Sequence, residues 1–136
     1  MSASTVCIAG VALLEVRKHV DARGELGVFE SGTALGFNIN RVFYIKAGSV
    51  NIVRAEHSGS HVQALCALTG SVIADLDNGD QQQSVFLSGE EILRIAPGVW
   101  LRLRAFAPNT VVLAMSSERF ADMVQFPTPR PELIRR

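Results

Sequence analysis

Five polar side chains that could move protons or hold charge lie close together in the middle of the chain. They are a guanidinium, a carboxylate, two imidazoles and an amide, contributed by Arg54, Glu56, His57, His61 and Gln63. Histidine titrates close to neutral pH, so two histidines four residues apart, with a carboxylate and a guanidinium nearby, can act as acid and base. The same pattern is also typical of a hairpin loop that carries two solvated histidines. Spacing alone does not decide between these two interpretations.

A second group of candidates lies outside this stretch. An Asp-Ala-Arg-Gly segment has the composition of a turn, and a later strand carries an arginine beside the one tyrosine of the sequence. A tryptophan after Pro-Gly-Val could pack in the core or stack on a planar ligand, and the tyrosine could equally pack or act on a substrate. We take these residues as further candidates: Arg23, Arg41, Tyr44 and Trp100.

The elements that must position these residues are predicted to be strands. Residues 101–106 alternate, with Leu101, Leu103 and Ala105 on one face and two arginines on the other. The stretch 77–80 is the strongest turn signal, because Asn-Gly tolerates the positive φ of a tight hairpin. About ten short strands at this spacing predict an all-β sandwich or barrel rather than βαβ units. A helical turn is expected only within 116–124.

The position of the central polar stretch depends on one such strand. If residues 53–57 are extended, His57 shares a face with Val53 inside the barrel and Glu56 points the other way. A proline-rich segment, 127–136, is expected to be extended, which gives a domain over 1–126 followed by a Pro/Arg-rich tail.

Composition limits the classes of partner. The chain has 136 residues, enough for one domain, and its 13 basic and 13 acidic residues cancel, so no nucleic-acid partner is expected. No apolar run reaches the roughly 18 residues that cross a bilayer, and no secretory leader is recognisable. Cys7 and Cys66 both lie in apolar runs and are predicted to be buried thiols. These features predict a cytoplasmic protein with no membrane partner.

Several short motifs occur in an order that resembles the WxcM-like group of cupins over about residues 12–126. They are Asp21-Ala22-Arg23-Gly24, Asn40-Arg41-Val42-Phe43-Tyr44-Ile45, Val53-Arg54 leading into His57, Gln63-Ala64-Leu65, Leu68-Thr69-Gly70-Ser71, Asp77-Asn78-Gly79, Ala96-Pro97-Gly98-Val99-Trp100 and 111–117 followed by Phe120.

The resemblance implies a cupin-type double-stranded β-helix, or jelly roll, that forms a homodimer. The characterised enzymes of the group are dTDP-4-keto-6-deoxyglucose 3,4-ketoisomerases of deoxysugar biosynthesis. They bind a nucleotide-linked sugar in the barrel and move its ketone from C4 to C3 by acid–base proton transfer, without metal or cofactor. A dTDP-sugar is therefore the expected ligand, and the expected activity is that of an intramolecular oxidoreductase.

The resemblance also implies roles for individual residues. The family motif is Arg-Gly-x-His-x-His, in which Arg54 and His57 match the arginine and the first histidine. The expected catalytic residues are His57, Tyr44 and His61. The expected substrate-binding residues are Arg23, Arg41, Arg54, Gln63 and Trp100.

The chain departs from the family motif at three positions. Ala55 replaces the glycine, Gly59 stands at the second histidine, and Leu101 follows Trp100 where many members have histidine. A catalytic metal needs about three protein ligands, which these residues do not supply, so no metal is predicted. His61 could fold back to replace the missing histidine. The alternatives are a non-catalytic sugar-nucleotide-binding cupin, or a cupin with an unrelated small-molecule ligand.

Overall fold

A computed structural model describes residues 6–89 and 91–134, and in this part of the chain every regular element except two 3₁₀ turns is a strand. The strands are β1 (Val11–Glu15), β2 (Arg17–Asp21), β3 (Gly24–Val28), β4 (Arg41–Lys46), β5 (Arg54–Gly59), β6 (Gln63–Thr69), β7 (Ser71–Asp77), β8 (Gln82–Ser88), β9 (Glu91–Ile95), β10 (Trp100–Arg104), β11 (Val111–Ser116) and β12 (Gln125–Phe126). The 3₁₀ turns span Phe120–Asp122 and Pro131–Leu133.

Two five-stranded antiparallel sheets form the body of the molecule. The first has the order β1-β9-β6-β11-β4 and the second the order β12-β5-β10-β7-β8, while β2 and β3 form a separate hairpin. From β4 onwards the chain passes repeatedly from one sheet to the other, so most sequence neighbours lie in opposite sheets. This arrangement confirms the predicted all-β jelly roll.

The main core lies between the two sheets and is built by alternation. In β7 the side chains of Val72, Ala74 and Leu76 are buried while the intervening residues are partly exposed. In β10, Leu101 and Leu103 are each 1% exposed, as predicted. Ala105 does not continue this face, because its φ of 54° ends the alternation and sends Phe106 into the core instead.

The predicted turn at 77–80 connects β7 to β8. Gly79 adopts a φ of 91°, and the Asn78 side chain accepts hydrogen bonds from the backbone N–H groups of Asp80 and Gln81. Asn78 is fully buried and its amide also donates to the carbonyl of Ala9. The amide therefore closes the turn and ties it to the N-terminal segment.

A smaller cluster packs on the outer face of the first sheet. Its buried members are Leu35, Phe37, Ala64, Cys66, Ile92 and Met115. Cys66 is buried as predicted, whereas Cys7 is exposed, because it lies in an irregular segment before β1 whose backbone N–H bonds the Gln83 side chain. The prediction of two buried thiols was wrong for Cys7.

The segment after β11 is neither a regular helix nor a free tail. Only one 3₁₀ turn forms within 116–124, and β12 then pairs with β5. Residues 127–134 pack against the body of the same chain, with Ile134 in the main core. The outer ends of the predicted domain and tail, 1–5 and 135–136, lie outside the described residues. No helix among the described residues is long and apolar enough to cross a membrane.

Candidate active site

A cavity of about 490 Å³ opens between the two sheets, within the size range of small-molecule sites. Strands β4, β5, β6 and β10 and the segment after β11 form its wall. The residues that line it are Arg41, Phe43, Tyr44, Ile45, Lys46, Arg54, Ala55, His57, His61, Gln63, Leu65, Leu101, Leu103, Phe120, Met123 and Gln125. Six of the eight predicted site residues therefore border one cavity.

An irregularity in β5 determines which of its side chains reach the cavity. Ala55 and Glu56 have φ angles of 71° and 65°, and the pairing with β10 shifts so that Glu56 has no partner. Such a bulge re-aims the neighbouring side chains, and Arg54, Ala55 and His57 all line the cavity. His57 faces inward as predicted. Val53 precedes the strand and is exposed, so it does not share that face.

His57 is half-buried and lies between β5 and β12. Its Nε2 is 3.4 Å from the Nε2 of Gln125, while its buried Nδ1 has no hydrogen-bond partner among the described residues. Burial lowers the pKa of His57, although a backbone hydrogen bond at Ser58 opposes the effect. At neutral pH the imidazole is therefore uncharged and can accept a proton.

His61 comes from the connection between β5 and β6, yet it is only 5% exposed. Its Nδ1 is also buried without a partner in the described part of the chain. Burial lowers the pKa of His61 most strongly, and the nearby His57 lowers it further. Glu118 and a hydrogen bond with Gln63 act in the opposite direction. The cavity thus contains two imidazoles that are uncharged at neutral pH, and a charge on His57 lowers the pKa of His61.

Three cations border the cavity, and none of the described lining residues is an aspartate or glutamate. The Arg41 guanidinium lies 4.4 Å from the centre of the Phe43 ring and 5.1 Å from that of Phe120. The aromatic rings hold it by cation–π contact without neutralising it. Together with Arg54 and Lys46, it makes the cavity suited to an anionic ligand.

Tyr44 borders the cavity from the open edge of the first sheet. Alternation along β4 places it on the opposite face from Arg41 and Phe43, and the side chain is 66% exposed. The Lys46 ammonium lies 5.8 Å from the centre of its ring. The phenol is therefore a residue of the rim rather than of the interior.

The structure does not bring Arg23 and Trp100 to the cavity. Arg23 is exposed in the β2–β3 turn, where its guanidinium is held by Asp21 at 2.6 Å. Trp100 begins β10 on the outward face, and its Nε1 donates to the carbonyl of Pro127 at 3.1 Å. Alternation directs Trp100 away from the barrel interior, where Leu101 points instead.

Among the wall residues that were not predicted as site residues, three come from the segment after β11: Phe120, Met123 and Gln125. Phe120 and Met123 lie in the segment that was expected to form one helical turn, and Gln125 directly follows it. Gln125 reaches His57 because β12 pairs with β5, with Gln125 opposite Gly59. No local pattern reveals a two-residue strand whose partner lies more than sixty positions earlier.

The structure gives no three-ligand metal cluster in the part it describes. No group of three or more His, Cys, Asp and Glu side chains is placed there to hold a metal ion. The cavity contributes two imidazoles, which are the groups that could ligate a metal, and otherwise amide, guanidinium, ammonium, phenol and apolar groups.

Comparison with known proteins identifies the family to which the chain is similar. Residues 9–124 match the family model described as FdtA: WxcM-like, C-terminal. The TDP-4-oxo-6-deoxy-α-D-glucose-3,4-oxoisomerase of Aneurinibacillus thermoaerophilus is 28% identical over 110 residues, which cover 79% of this chain and 79% of the relative.

Solved structures agree with this match. QdtA, a sugar 3,4-ketoisomerase from Thermoanaerobacterium thermosaccharolyticum solved in complex with TDP, is 30% identical with a TM-score of 0.81, covering 87% of this chain and 89% of that one. A variant of QdtA was solved with TDP-4-keto-6-deoxyglucose. The WlaRB TDP-quinovose 3,4-ketoisomerase of Campylobacter jejuni is 26% identical with a TM-score of 0.79, covering 83% and 88%. This chain, with its jelly-roll fold and its match over most of its length, belongs to the WxcM-like cupin family.

Proposed function

We propose that this protein is a 3,4-ketoisomerase that moves the ketone of a dTDP-4-keto-6-deoxyhexose from C4 to C3. The observation that carries the proposal is one cavity that holds two uncharged imidazoles, His57 and His61, beside the guanidiniums of Arg41 and Arg54. The relatives act on TDP-linked sugars, and the charge of this cavity suits the same class of ligand.

The reaction requires two coupled proton movements and no net oxidation. The C3–H bond breaks and a C4–H bond forms, while the hydroxyl proton of O3 is lost and O4 is protonated on the way through an enediol. Each movement needs a group that accepts a proton and returns it, which a neutral imidazole can do. Cationic donors stabilise the negative charge that develops on oxygen.

The residues divide between these tasks. His57 is the principal acid–base group, because it lies inside the cavity and burial keeps it neutral. Arg41 and Arg54 hold the diphosphate or the enolate oxygen, since charge-assisted hydrogen bonds to guanidinium are strong. Gln63 orients His61 through their hydrogen bond. Tyr44 contacts the ligand at the rim.

His57→Asn tests the proposal directly. Turnover of dTDP-4-keto-6-deoxyglucose, followed by ¹H NMR in deuterated buffer, is expected to fall about 100-fold or more, the usual effect of losing a general base. Binding of dTDP by calorimetry should persist. The matched control is His19→Asn, which removes the remaining histidine, exposed on the β2–β3 hairpin.

Two results would reject the proposal. Turnover in His57→Asn at the wild-type rate would remove the residue assignment. Binding of dTDP by the wild-type protein without any exchange of the C3 proton would favour a non-catalytic sugar-nucleotide-binding role. We also expect a homodimer and a cytoplasmic location, to be checked by light scattering and cell fractionation.

A further inference from the structure

Gly59 makes room for the His61 ring. A Cβ atom built on Gly59 would lie 2.5 Å from both Cε1 and Nδ1 of His61, far closer than non-bonded carbon atoms approach. Gly59 does not adopt a positive φ, so its backbone conformation does not demand glycine. The absence of a side chain at position 59 therefore serves the neighbouring imidazole.

The buried position of His61 lowers the stability of the fold, which indicates that the imidazole is kept there for a function. Its ring is almost fully buried, and its Nδ1 lacks a partner among the described residues. A buried polar atom without a hydrogen bond destabilises the folded protein. An apolar residue of similar size would avoid that cost, and His61 nevertheless lines the same cavity as His57.

We propose that His61, seated over Gly59, is the second proton-transfer group of the cavity, and that Gly59 is its positioning residue. The inference rests on the proposed ketoisomerase function. His57 carries the carbon-bound proton from C3 to C4, and His61 moves the hydroxyl proton from O3 to O4. Protons and electrons balance within the substrate, and both imidazoles end the cycle neutral.

His61 lies two positions after Gly59, which stands where the Arg-Gly-x-His-x-His motif has its second histidine. The pair is formed from positions 57 and 61, one on β5 and one on the connection that follows it. Gly59 lies between them, fixed by a 2.9 Å backbone hydrogen bond from the N–H of Gly98 to its carbonyl. The strand is therefore anchored where the ring rests, which keeps the two imidazoles in one cavity.

The test uses His61→Asn and Gly59→Ala, each measured for product formation and for exchange of the C3 proton with deuterated solvent. His61→Asn is expected to lower product formation about 100-fold or more. It should retain a larger share of C3 exchange, whereas His57→Asn loses both. Gly59→Ala, which displaces the ring, should lower product formation in the same way.

A double-mutant cycle separates positioning from a general structural defect. If Gly59 acts through His61, then Gly59→Ala has no further effect on turnover once His61→Asn is present. Gly48→Ala is the matched control, because Gly48 has no positive φ and an added Cβ there meets nothing within 4 Å. That variant should keep wild-type turnover.

The outcomes distinguish this inference from the proposed function. Wild-type turnover in His61→Asn would overturn the inference and leave the ketoisomerase proposal standing. Additive effects of the two substitutions in the double variant would overturn the positioning role of Gly59 alone. A wild-type protein that does not turn over dTDP-4-keto-6-deoxyglucose would overturn the ketoisomerase function itself, and the inference with it. Gly59→Ala retains His61, so it provides the same two readouts should His61→Asn not fold.

Discussion

Ala55 adopts a backbone conformation that its own side chain disfavours. Its φ of 71° is followed by a φ of 65° at Glu56, so two consecutive residues with side chains occupy the left-handed region. Each such residue costs roughly 1–2 kcal/mol. The resulting bulge is what brings Arg54 and His57 to the cavity together. Strain of this kind persists where the surrounding structure holds it and function uses it.

Ala55→Gly is therefore expected to stabilise the protein. Relief of the left-handed penalty outweighs the added freedom of glycine in the unfolded chain, for a net gain of about 0.5–1 kcal/mol. Urea unfolding would measure it. Ala121→Gly, at an exposed position without a positive φ, should leave stability unchanged or lower it. A lower midpoint for Ala55→Gly would show that the bulge is not strained.

The half-buried His57 and the buried His61 should make stability depend on pH. Burial lowers the pKa of both His57 and His61 below the ordinary value of 6.5. Between that value and the lower folded pKa values, the unfolded chain binds more protons than the folded chain, so stability falls as pH falls. The contribution is fully present above pH 6.5.

Melting temperatures between pH 5 and 7.5 would check this. The double variant His57→Asn with His61→Asn is expected to lose most of the decline below pH 6.5, whereas His19→Asn should retain it. An equal decline in the wild type, the double variant and His19→Asn would assign the pH dependence to other groups.

At the scale of elements, one carboxylate joins three strands on the outer face of the second sheet. Asp75 of β7 accepts hydrogen bonds from Arg102 Nε at 2.9 Å and Arg104 Nε at 2.6 Å, both on β10. Ser84 of β8 donates a third at 2.6 Å. Burial raises the pKa of Asp75, but the bonds from Arg104, Ser84 and Arg102 outweigh it and lower the pKa to about 2.

Asp75→Asn is expected to destabilise the fold by about 1–2 kcal/mol at pH 7. Hydrogen bonds to charged groups contribute more than neutral ones, but both arginines are about 40% exposed, so solvent screens part of the effect. The difference from wild type, measured by urea unfolding, should shrink as pH falls from about 4 towards 2, where Asp75 is about half protonated in the folded protein. Asp80→Asn, at an exposed turn position, should change little. Equal effects of the two substitutions would contradict the role of Asp75.

The sequence predicts the elements better than the irregularities that join them. Alternation correctly orients Leu101 and Leu103 inward and Arg102 and Arg104 outward, because it depends only on strand geometry. The β5 bulge is not predictable in this way, since Ala55 and Glu56 carry no turn signal. Trp100 shares the outward face of Arg102 and Arg104, so its assignment to the ligand from its Pro-Gly-Val context was wrong; its Nε1 bonds a carbonyl 27 positions later in the chain.

The same limit applies to the candidate site. Residue type predicts His57 and His61 as acid–base groups, and the structure places both on the wall of one cavity. Whether His61 reaches the cavity depends on the space over Gly59, a contact between the last residue of β5 and the connection that follows it, which alternation does not predict. Gln125 contributes through the β5–β12 pair, which only the folded chain reveals.

At the scale of the whole molecule, residues 127–134 link the second sheet to the core. Ser58 Oγ donates to the carbonyl of Thr128 at 2.7 Å, and the Arg130 N–H donates to the carbonyl of Gly98 at 2.8 Å. The Arg130 guanidinium lies over the Phe126 ring at 4.3 Å, and Ile134 is 7% exposed in the main core. This segment therefore supports β5, which carries Arg54 and His57 of the cavity wall, and the turn that leads into β10.

Removal of 127–136 tests whether 1–126 is a complete domain. A separate tail predicts an unchanged melting temperature, whereas the observed contacts predict a lower one, because truncation exposes the core beneath Ile134 and unpairs Trp100 Nε1. Ile134→Ala removes only the packing of that side chain and is expected to lower the free energy of unfolding by about 2–4 kcal/mol. Val124→Ala, at a half-exposed site, should lower it far less. Since β12 holds Gln125 beside His57, truncation should also slow ketoisomerisation more than Ile134→Ala does at temperatures where both proteins are folded. A truncated protein with wild-type stability and turnover would show that the cavity is complete without the C-terminal segment.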